Sequence, residues 1–181
     1  MLSGLTMNDL LDYTDWERRK WFEWMQQCDR GVLEISLGPC GDGRFARVGE
    51  LVRHIFSAEK RYIERLSNRA MTDADTIPAD NLEALFQFGR QSRRELREFI
   101  EALPAEDGDA PREFKLMNSF LTATPKKIVT HVLLHEVRHW AQIATLFRLN
   151  GQKVDFHDFL FSPVMGGELK REQQTGSESA R

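Results

Sequence analysis

The stretch TPKKIVTHVLLHEVRHWAQIATLFRLNG, residues 124–151, decides the fold because it has the start, the stop and the apolar spacing of one long helix. Thr124 stands at the N-cap position with Pro125 at the first helical position, and Asn150-Gly151 supplies a left-handed C-terminal cap. At about 1.5 Å per residue, a helix from Thr124 to Leu149 is long enough to run the length of a helical bundle.

Three further segments have the apolar spacing of amphipathic helices. They run from Met7 to Gln27, from Val48 to Ser67, and from a capping-box-like start at Asp80 to Leu103, where Pro104 ends the helix. No strand pattern of any length is visible, and the links between the helices are mostly long. We therefore predict an all-α fold, an antiparallel four-helix bundle with long connections.

The bundle is predicted to occupy residues 1–165 as a single domain. Within it, Val154–Phe161 follows the fourth helix as an aromatic-rich stretch that could pack as a short fifth element. Residues 166–181 are polar and low in apolar content, so they are predicted to form a disordered C-terminal tail.

Composition narrows the class of protein. The 181 residues are 41% apolar and 29% charged, with a net charge of −3, so electrostatic attraction to nucleic acid or to anionic lipid is not expected. The chain has no apolar run of about 18 residues and no secretory signal pattern, which predicts a protein of the cytoplasm that does not span a membrane. The two cysteines, Cys28 and Cys40, are predicted to be free thiols rather than a disulfide.

Histidines are the chemically informative residues of the fourth helix. His131, His135 and His139 follow one another at four-residue steps, so they lie near one line on the helix, together with apolar residues such as Ile128 and Val132. Burial of several imidazoles costs free energy unless each finds a partner, and a metal ion is one efficient partner. Two histidines at i and i+4 can reach one ion from the same helix face.

A third ligand is available from the second helix. His54 lies on the apolar face of that helix, three residues after Leu51 and four before Ala58. If the second and fourth helices are neighbours, His54, His135 and His139 can hold one divalent metal ion. His131 is ranked lower, as a substitute ligand or a group near the site, and a bundle without metal, its histidines paired with carboxylates, remains an alternative.

These residues resemble those of the DinB-like (DNA-damage-inducible) family and of the related YfiT-like and maleylpyruvate-isomerase-like metal proteins. The resemblance lies in His54 with the following Ser57-Ala58-Glu59, in the stretch HEVRHWAQ from His135 to Gln142, and in LFRLNG at residues 146–151. It extends over roughly residues 7–160. Trp140-Ala141 departs from the Arg-Gly that many members carry before the glutamine, so the resemblance implies no substrate contact at residue 140.

The resemblance implies His54, His135 and His139 as ligands of a Zn, Ni, Fe or Mn ion with open coordination positions, and it implies a homodimer. Some relatives are similar to thiol-dependent transferases or isomerases. The hypothesis is therefore metal-assisted activation of a low-molecular-weight thiol, or of water in a hydrolase, for transfer to a small electrophilic molecule. Glu136 and Gln142 are candidates for catalytic roles, and Glu59, Gln142 and Arg138 are candidates for orienting the ligands or the substrate.

Two alternative functions stay open at this level. HEVRH at residues 135–139 matches the HExxH pattern of zinc peptidases, in which the glutamate acts as the base. Such a peptidase also needs a third ligand and a substrate-aligning strand, and no strand is visible upstream. The other alternative is a metal-binding stress-response protein without enzymatic activity. No DNA binding is expected in either case.

Overall fold

The computed structural model describes residues 4–28, 30–41, 43–116 and 118–166. The helices are α1 (Met7–Gln27), α2 (Val48–Leu66), α3 (Leu82–Ala102), α4 (Ala105–Gly108) and α5 (Pro125–Leu149), and the strands are β1 (Arg112–Leu116) and β2 (Ser119–Ala123). The prediction of an all-α bundle with long connections is confirmed, since α1, α2, α3 and α5 are the four predicted helices. Most of the predicted tail, residues 167–181, lies outside the described residues.

Capping side chains set the starts of three long helices. Thr6, Asn81 and Thr124 each accept a hydrogen bond from a backbone N–H in the first turn of α1, α3 and α5. The cap of α3 is therefore Asn81 and not Asp80, because the Asn81 side chain accepts from the backbone N–H of Ala84 at 3.0 Å. The predicted boundaries of the helices otherwise agree with the structure to within two residues.

The expectation that the chain has no strands was wrong. β1 and β2 pair as an antiparallel hairpin, in the register Arg112 to Ala123 and Leu116 to Ser119, within the connection before α5. The aromatic-rich stretch after α5 contains a short 3₁₀ helix, Phe159–Phe161. Tyr13 on α1 holds this stretch by donating a hydrogen bond to the carbonyl of His157 at 2.8 Å.

Two apolar clusters show how the four long helices run. One cluster joins the C-terminal parts of α1 and α5 to the N-terminal parts of α2 and α3, with Trp21, Phe56, Leu85 and Trp140 among its members. The other joins the opposite ends of the same helices. Helices α1 and α5 therefore point one way and α2 and α3 the other, so the antiparallel contacts are those of α2 with α5 and of α1 with α3.

The parallel pair of α2 and α3 is possible because the link between them is long. Helix α2 spans about 28 Å, and a link of 15 residues, from Ser67 to Asn81, can reach about 50 Å when it is extended.

Among the helices in the described part of the chain, none is both long enough and apolar enough to cross a lipid bilayer. Because α2 and α5 are direct neighbours, the histidines on their facing sides are brought together.

Candidate metal centre

Three imidazole nitrogens converge between α2 and α5. The Nε2 atom of His135 lies 3.2 Å from Nε2 of His54 and 3.0 Å from Nε2 of His139. The ligand atoms of the three residues all lie within 4.8 Å of one another. We refer to His54, His135 and His139 as the three-histidine centre.

A hydrogen bond sets the orientation of one imidazole. Nδ1 of His139 donates to the side-chain carbonyl Oε1 of Gln142, one turn further along α5. In a neutral imidazole with its proton on Nδ1, the Nε2 atom keeps its lone pair. His139 therefore presents a lone pair to the centre, and Gln142 has the position of the outer residue that fixes a metal-binding histidine.

Two of the three imidazoles have strongly lowered pKa values. Burial, with His139 and nearby arginines, lowers the pKa of His54 to about 3, and burial with the neighbouring histidines lowers that of His135 to about 3 as well. His54 and His135 are thus neutral at pH 7, and one N–H on His135 can serve only one of its two nitrogen neighbours. Three imidazole nitrogens at these separations form a donor set that suits a cation.

The spacing of the nitrogens also fits one metal ion. Two imidazole nitrogens bound tetrahedrally to the same zinc ion lie about 3.3 Å apart, since each Zn–N bond is about 2.0–2.1 Å long. Two of the three separations here are 3.0 and 3.2 Å. The donor set and its geometry therefore fit a single divalent ion.

Glu136 is not brought to the three-histidine centre. It lies in a buried layer of charge formed by one side chain from each long helix, which we call the ion layer: Arg18, Glu59, Arg93 and Glu136. The Glu136 carboxylate accepts from Arg18 and Arg93, with Nη2 of each at 2.8 Å, and from the indole N–H of Trp140 at 3.1 Å. Its exposed fraction is 1%.

The placement of Glu136 bears on the HExxH hypothesis. A peptidase base must reach a water molecule at the metal, whereas both oxygens of Glu136 are occupied by donors in the interior of the bundle. Trp140 is fully buried, and its indole N–H donates to the same carboxylate. The two histidines of HExxH therefore face the three-histidine centre, while its glutamate pairs with Arg18 and Arg93 in the ion layer.

Glu59 is likewise a member of the ion layer. Burial alone would raise the pKa of Glu59, but the charges of Arg18 and Arg93 lower it below its ordinary value. Arg138 is exposed on α5, and its charge contributes only weakly to the low pKa of His135. Of the residues proposed to orient ligands, the structure thus places only Gln142 against the centre.

His131, one turn before His135, stays outside the ligand cluster. Its ring packs against Tyr62, with 5.6 Å between the ring centres, and against His135 at the same separation. His157 is not part of the cluster, and its ring stacks on Trp21 with 4.0 Å between the ring centres. The thiol of Cys28 donates to the carbonyl of Trp24, and the side chain of Cys40 lies outside the described residues.

A cleft of about 430 Å³ opens beside the three-histidine centre, a size typical of sites for small molecules. His54, His131 and His135 line it together with Arg44, Arg61 and Arg65. These arginines are not among the site residues predicted from the sequence. The signal was present for two of them, since positions 61 and 65 are seven and eleven residues after His54 and so share its helix face.

Comparison with known proteins identifies the family. The sequence profile of the DinB family matches residues 1–173 of the chain, which is nearly its full length and includes all three histidines of the centre. A search of curated proteins found no match. On the extent of the profile match, with the helical fold and the histidine arrangement that accompany it, this chain belongs to the DinB family.

Proposed function

We propose that this protein holds one divalent metal ion through His54, His135 and His139 and uses it to activate a thiol or a water molecule for transfer to a small electrophilic molecule. The observation that carries the proposal is the convergence of three imidazole nitrogens beside an open cleft. Three protein ligands with a cleft alongside are typical of a catalytic metal site, whereas structural sites are closed by a fourth protein ligand.

The metal supplies Lewis acidity when it is bound, which lowers the pKa of a thiol or a water molecule at an open position. The residues of the chain hold the ion, orient its ligands and give the substrate access. Neutral imidazoles leave the positive charge of the ion uncompensated, and Gln142 holds the ring of His139 in place. The cleft beside His54 and His135 gives the second substrate a place to approach.

We propose a low-molecular-weight thiol as the first substrate and an electrophilic small molecule as the second, with a homodimer as the assembled state. The thiol is favoured over water because imidazole-bound divalent ions such as zinc also accept soft sulfur ligands.

Sedimentation equilibrium of the purified protein measures the assembled state, and a mass of one chain contradicts the dimer.

The metal assignment is tested by elemental analysis of protein that has been loaded with zinc and dialysed. The wild type is expected to retain about one ion per chain, as is the control His131→Ala, whereas His135→Ala retains almost none. Circular dichroism confirms that each variant is folded. Equal zinc content in His135→Ala and the wild type contradicts the proposal.

The role of Gln142 is tested in the same way. Gln142→Ala is expected to weaken zinc affinity by about 10–100-fold, because the ring of His139 loses the acceptor that orients it. Competition with a chromogenic chelator measures the affinity, and Gln87→Ala, an exposed glutamine on α3, is the control.

The transfer reaction is tested with a low-molecular-weight thiol and an aryl halide. Zinc-dependent loss of thiol groups measures the transfer, and the absence of this loss in zinc-loaded protein contradicts the transferase function.

A further inference from the structure

The cleft beside the three-histidine centre has an uneven charge. The described side chains that line it include the guanidinium groups of Arg44, Arg61 and Arg65 and no carboxylate. We call it the arginine cleft. Arg61 and Arg65 come from the same face of α2 as His54, and Arg44 comes from the loop before α2. The three cations thus stand at the approach to the proposed metal ion.

Arg61 lies in a position that leaves its charge poorly compensated. Its Nε donates to the carbonyl of Ser57 at 3.2 Å, and it forms no ion pair with any carboxylate among the described residues. Burial, together with the neighbouring charge of Arg65, lowers the pKa of Arg61 below its ordinary value, and the charges of Asp75 and Glu64 offset this only in part. A half-buried guanidinium beside another cation is stabilised when an anion arrives.

The other arginines of the cleft lie against aromatic rings. The guanidinium carbon of Arg65 is 5.6 Å from the ring centre of Tyr62, and that of Arg44 is 5.2 Å from the ring centre of Phe45. Stacking of this kind holds a guanidinium in a defined plane.

A second cleft shares the lining residues Arg44, Phe45, His54 and Arg61 with the arginine cleft. It also has acidic residues, but two of them are occupied. Asp75 pairs with Arg53 at 2.9 Å, and Glu50 accepts from Arg47 and from the backbone N–H of Ala46. The third, Asp73, caps a short 3₁₀ turn through the backbone N–H of Asp75. The acidic side chains on this side are thus engaged elsewhere, while Arg61 is not.

We propose that the arginine cleft binds the carboxylate of a small organic acid, with Arg61 as the principal contact, so that an anionic substrate is placed beside the three-histidine centre. The planar guanidinium matches a carboxylate through two parallel hydrogen bonds. The use of the acid as a substrate rests on the proposed metal-dependent function, but binding of the acid does not. A divalent ion would add positive charge to a site with three arginines, which favours an anionic partner further.

The experiment compares benzoate with benzamide, which are planar, similar in size and different in charge. Titration of metal-free and zinc-loaded protein is followed by NMR, including the Nε–H signals of the arginines. The wild type is expected to bind benzoate about tenfold or more tightly than benzamide. Arg61→Gln is expected to lose most of this preference, and Arg61→Lys to keep part of it. Arg94→Gln, an exposed arginine on α3, is expected to keep all of it.

The outcomes separate the two proposals. A preference for benzoate that is unchanged in folded Arg61→Gln overturns the anion site and leaves the metal proposal intact. If wild-type protein binds no zinc, the proposed function fails, and the titration of metal-free protein still decides the anion site. A preference that depends on Arg61 in metal-free protein supports the site, and binding of both ligands with equal affinity overturns it.

Discussion

At the scale of single residues, Glu17 is an unusual carboxyl group. It is buried on α1, and its Oε2 atom has no hydrogen-bond partner among the described residues. Burial, and after it the charge of Glu136, raises the pKa of Glu17 from 4.5 to about 9. The folded protein therefore holds this proton at pH 7, whereas the unfolded chain releases it.

Glu17→Gln is expected to stabilise the protein at alkaline pH. The raised pKa contributes stability that is complete below pH 4.5 and is lost as the pH rises through 9, and glutamine removes this dependence because it does not titrate. The variant should match the wild type near pH 5 and exceed it by at least about 1 kcal/mol at pH 8. Urea denaturation at the two values measures the difference. Glu23→Gln, an exposed position on α1, is the control, and a difference independent of pH contradicts the raised pKa.

The individual residues of the site were predictable to different degrees. Spacing and helix face identified His54, His135 and His139 as residues that could meet, because their periodicity places them on buried sides. The role of Glu136 was not predictable, since the same spacing allows it to face the metal or the bundle interior. Only the opposing charges of Arg18 and Arg93, which belong to other helices, decide between the two.

At the scale of elements, the contact between α2 and α3 depends on Gly89. A Cβ atom at this position would lie 2.8–2.9 Å from three ring carbons of Phe56, whose side chain is fully buried. The carbonyl of the same residue accepts from Nη1 of Arg18 at 3.0 Å. Glycine here allows two helices and a buried guanidinium to approach one another closely.

Gly89→Ala is expected to destabilise the protein by about 1–3 kcal/mol, because the added methyl group overlaps the ring of Phe56. The usual effect of this substitution inside a helix has the opposite sign, a gain of about 1 kcal/mol. Gly108→Ala is the control, since a Cβ there would meet only Leu103 at 3.8 Å. Thermal unfolding of both variants measures the effect, and a stabilised Gly89→Ala protein contradicts the close packing.

The hairpin of β1 and β2 was not predicted because its strands have only a weak sequence pattern. β1 alternates apolar Phe114 and Leu116 with charged Glu113 and Lys115, but only over five residues. In β2 the first four residues are exposed, including Phe120 with 70% of its surface accessible. Without a buried face, the second strand has no period-2 signal, so the pattern typical of a hairpin is incomplete.

At the scale of the whole molecule, the ion layer joins all four long helices. Arg18, Glu59, Arg93 and Glu136 each come from a different helix, and each has an exposed fraction of 7% or less. Glu136→Gln is expected to destabilise the protein by about 3–5 kcal/mol, since Arg18 and Arg93 would keep buried charges with one carboxylate fewer.

Glu136→Gln should nevertheless keep its zinc, because the carboxylate does not face the three-histidine centre. Urea denaturation measures the stability and elemental analysis the zinc content. The control is Glu83→Gln, which removes an exposed pair with Arg90 and should change stability by less than about 1 kcal/mol. Loss of zinc from folded Glu136→Gln contradicts the placement of this side chain.

The directions of the helices could not be predicted from the sequence. An apolar stripe shows which face of a helix is buried, but not which neighbour covers it or which way that neighbour points. The parallel arrangement of α2 and α3 depends on contacts between them, such as that of Lys60 with Glu95, at 2.5 Å. Long connections permit more than one order of helices, so the length of the connections alone does not determine the directions of the helices.

The ion layer divides the apolar interior of the bundle into two halves. A helix that slid by one turn, about 5.4 Å, would carry its arginine or glutamate out of this plane and into hydrocarbon. Reversing a helix would break the same match between opposite charges. The layer thus favours one alignment of the four helices over the others. The apolar surfaces on either side are not directional and do not make this distinction by themselves.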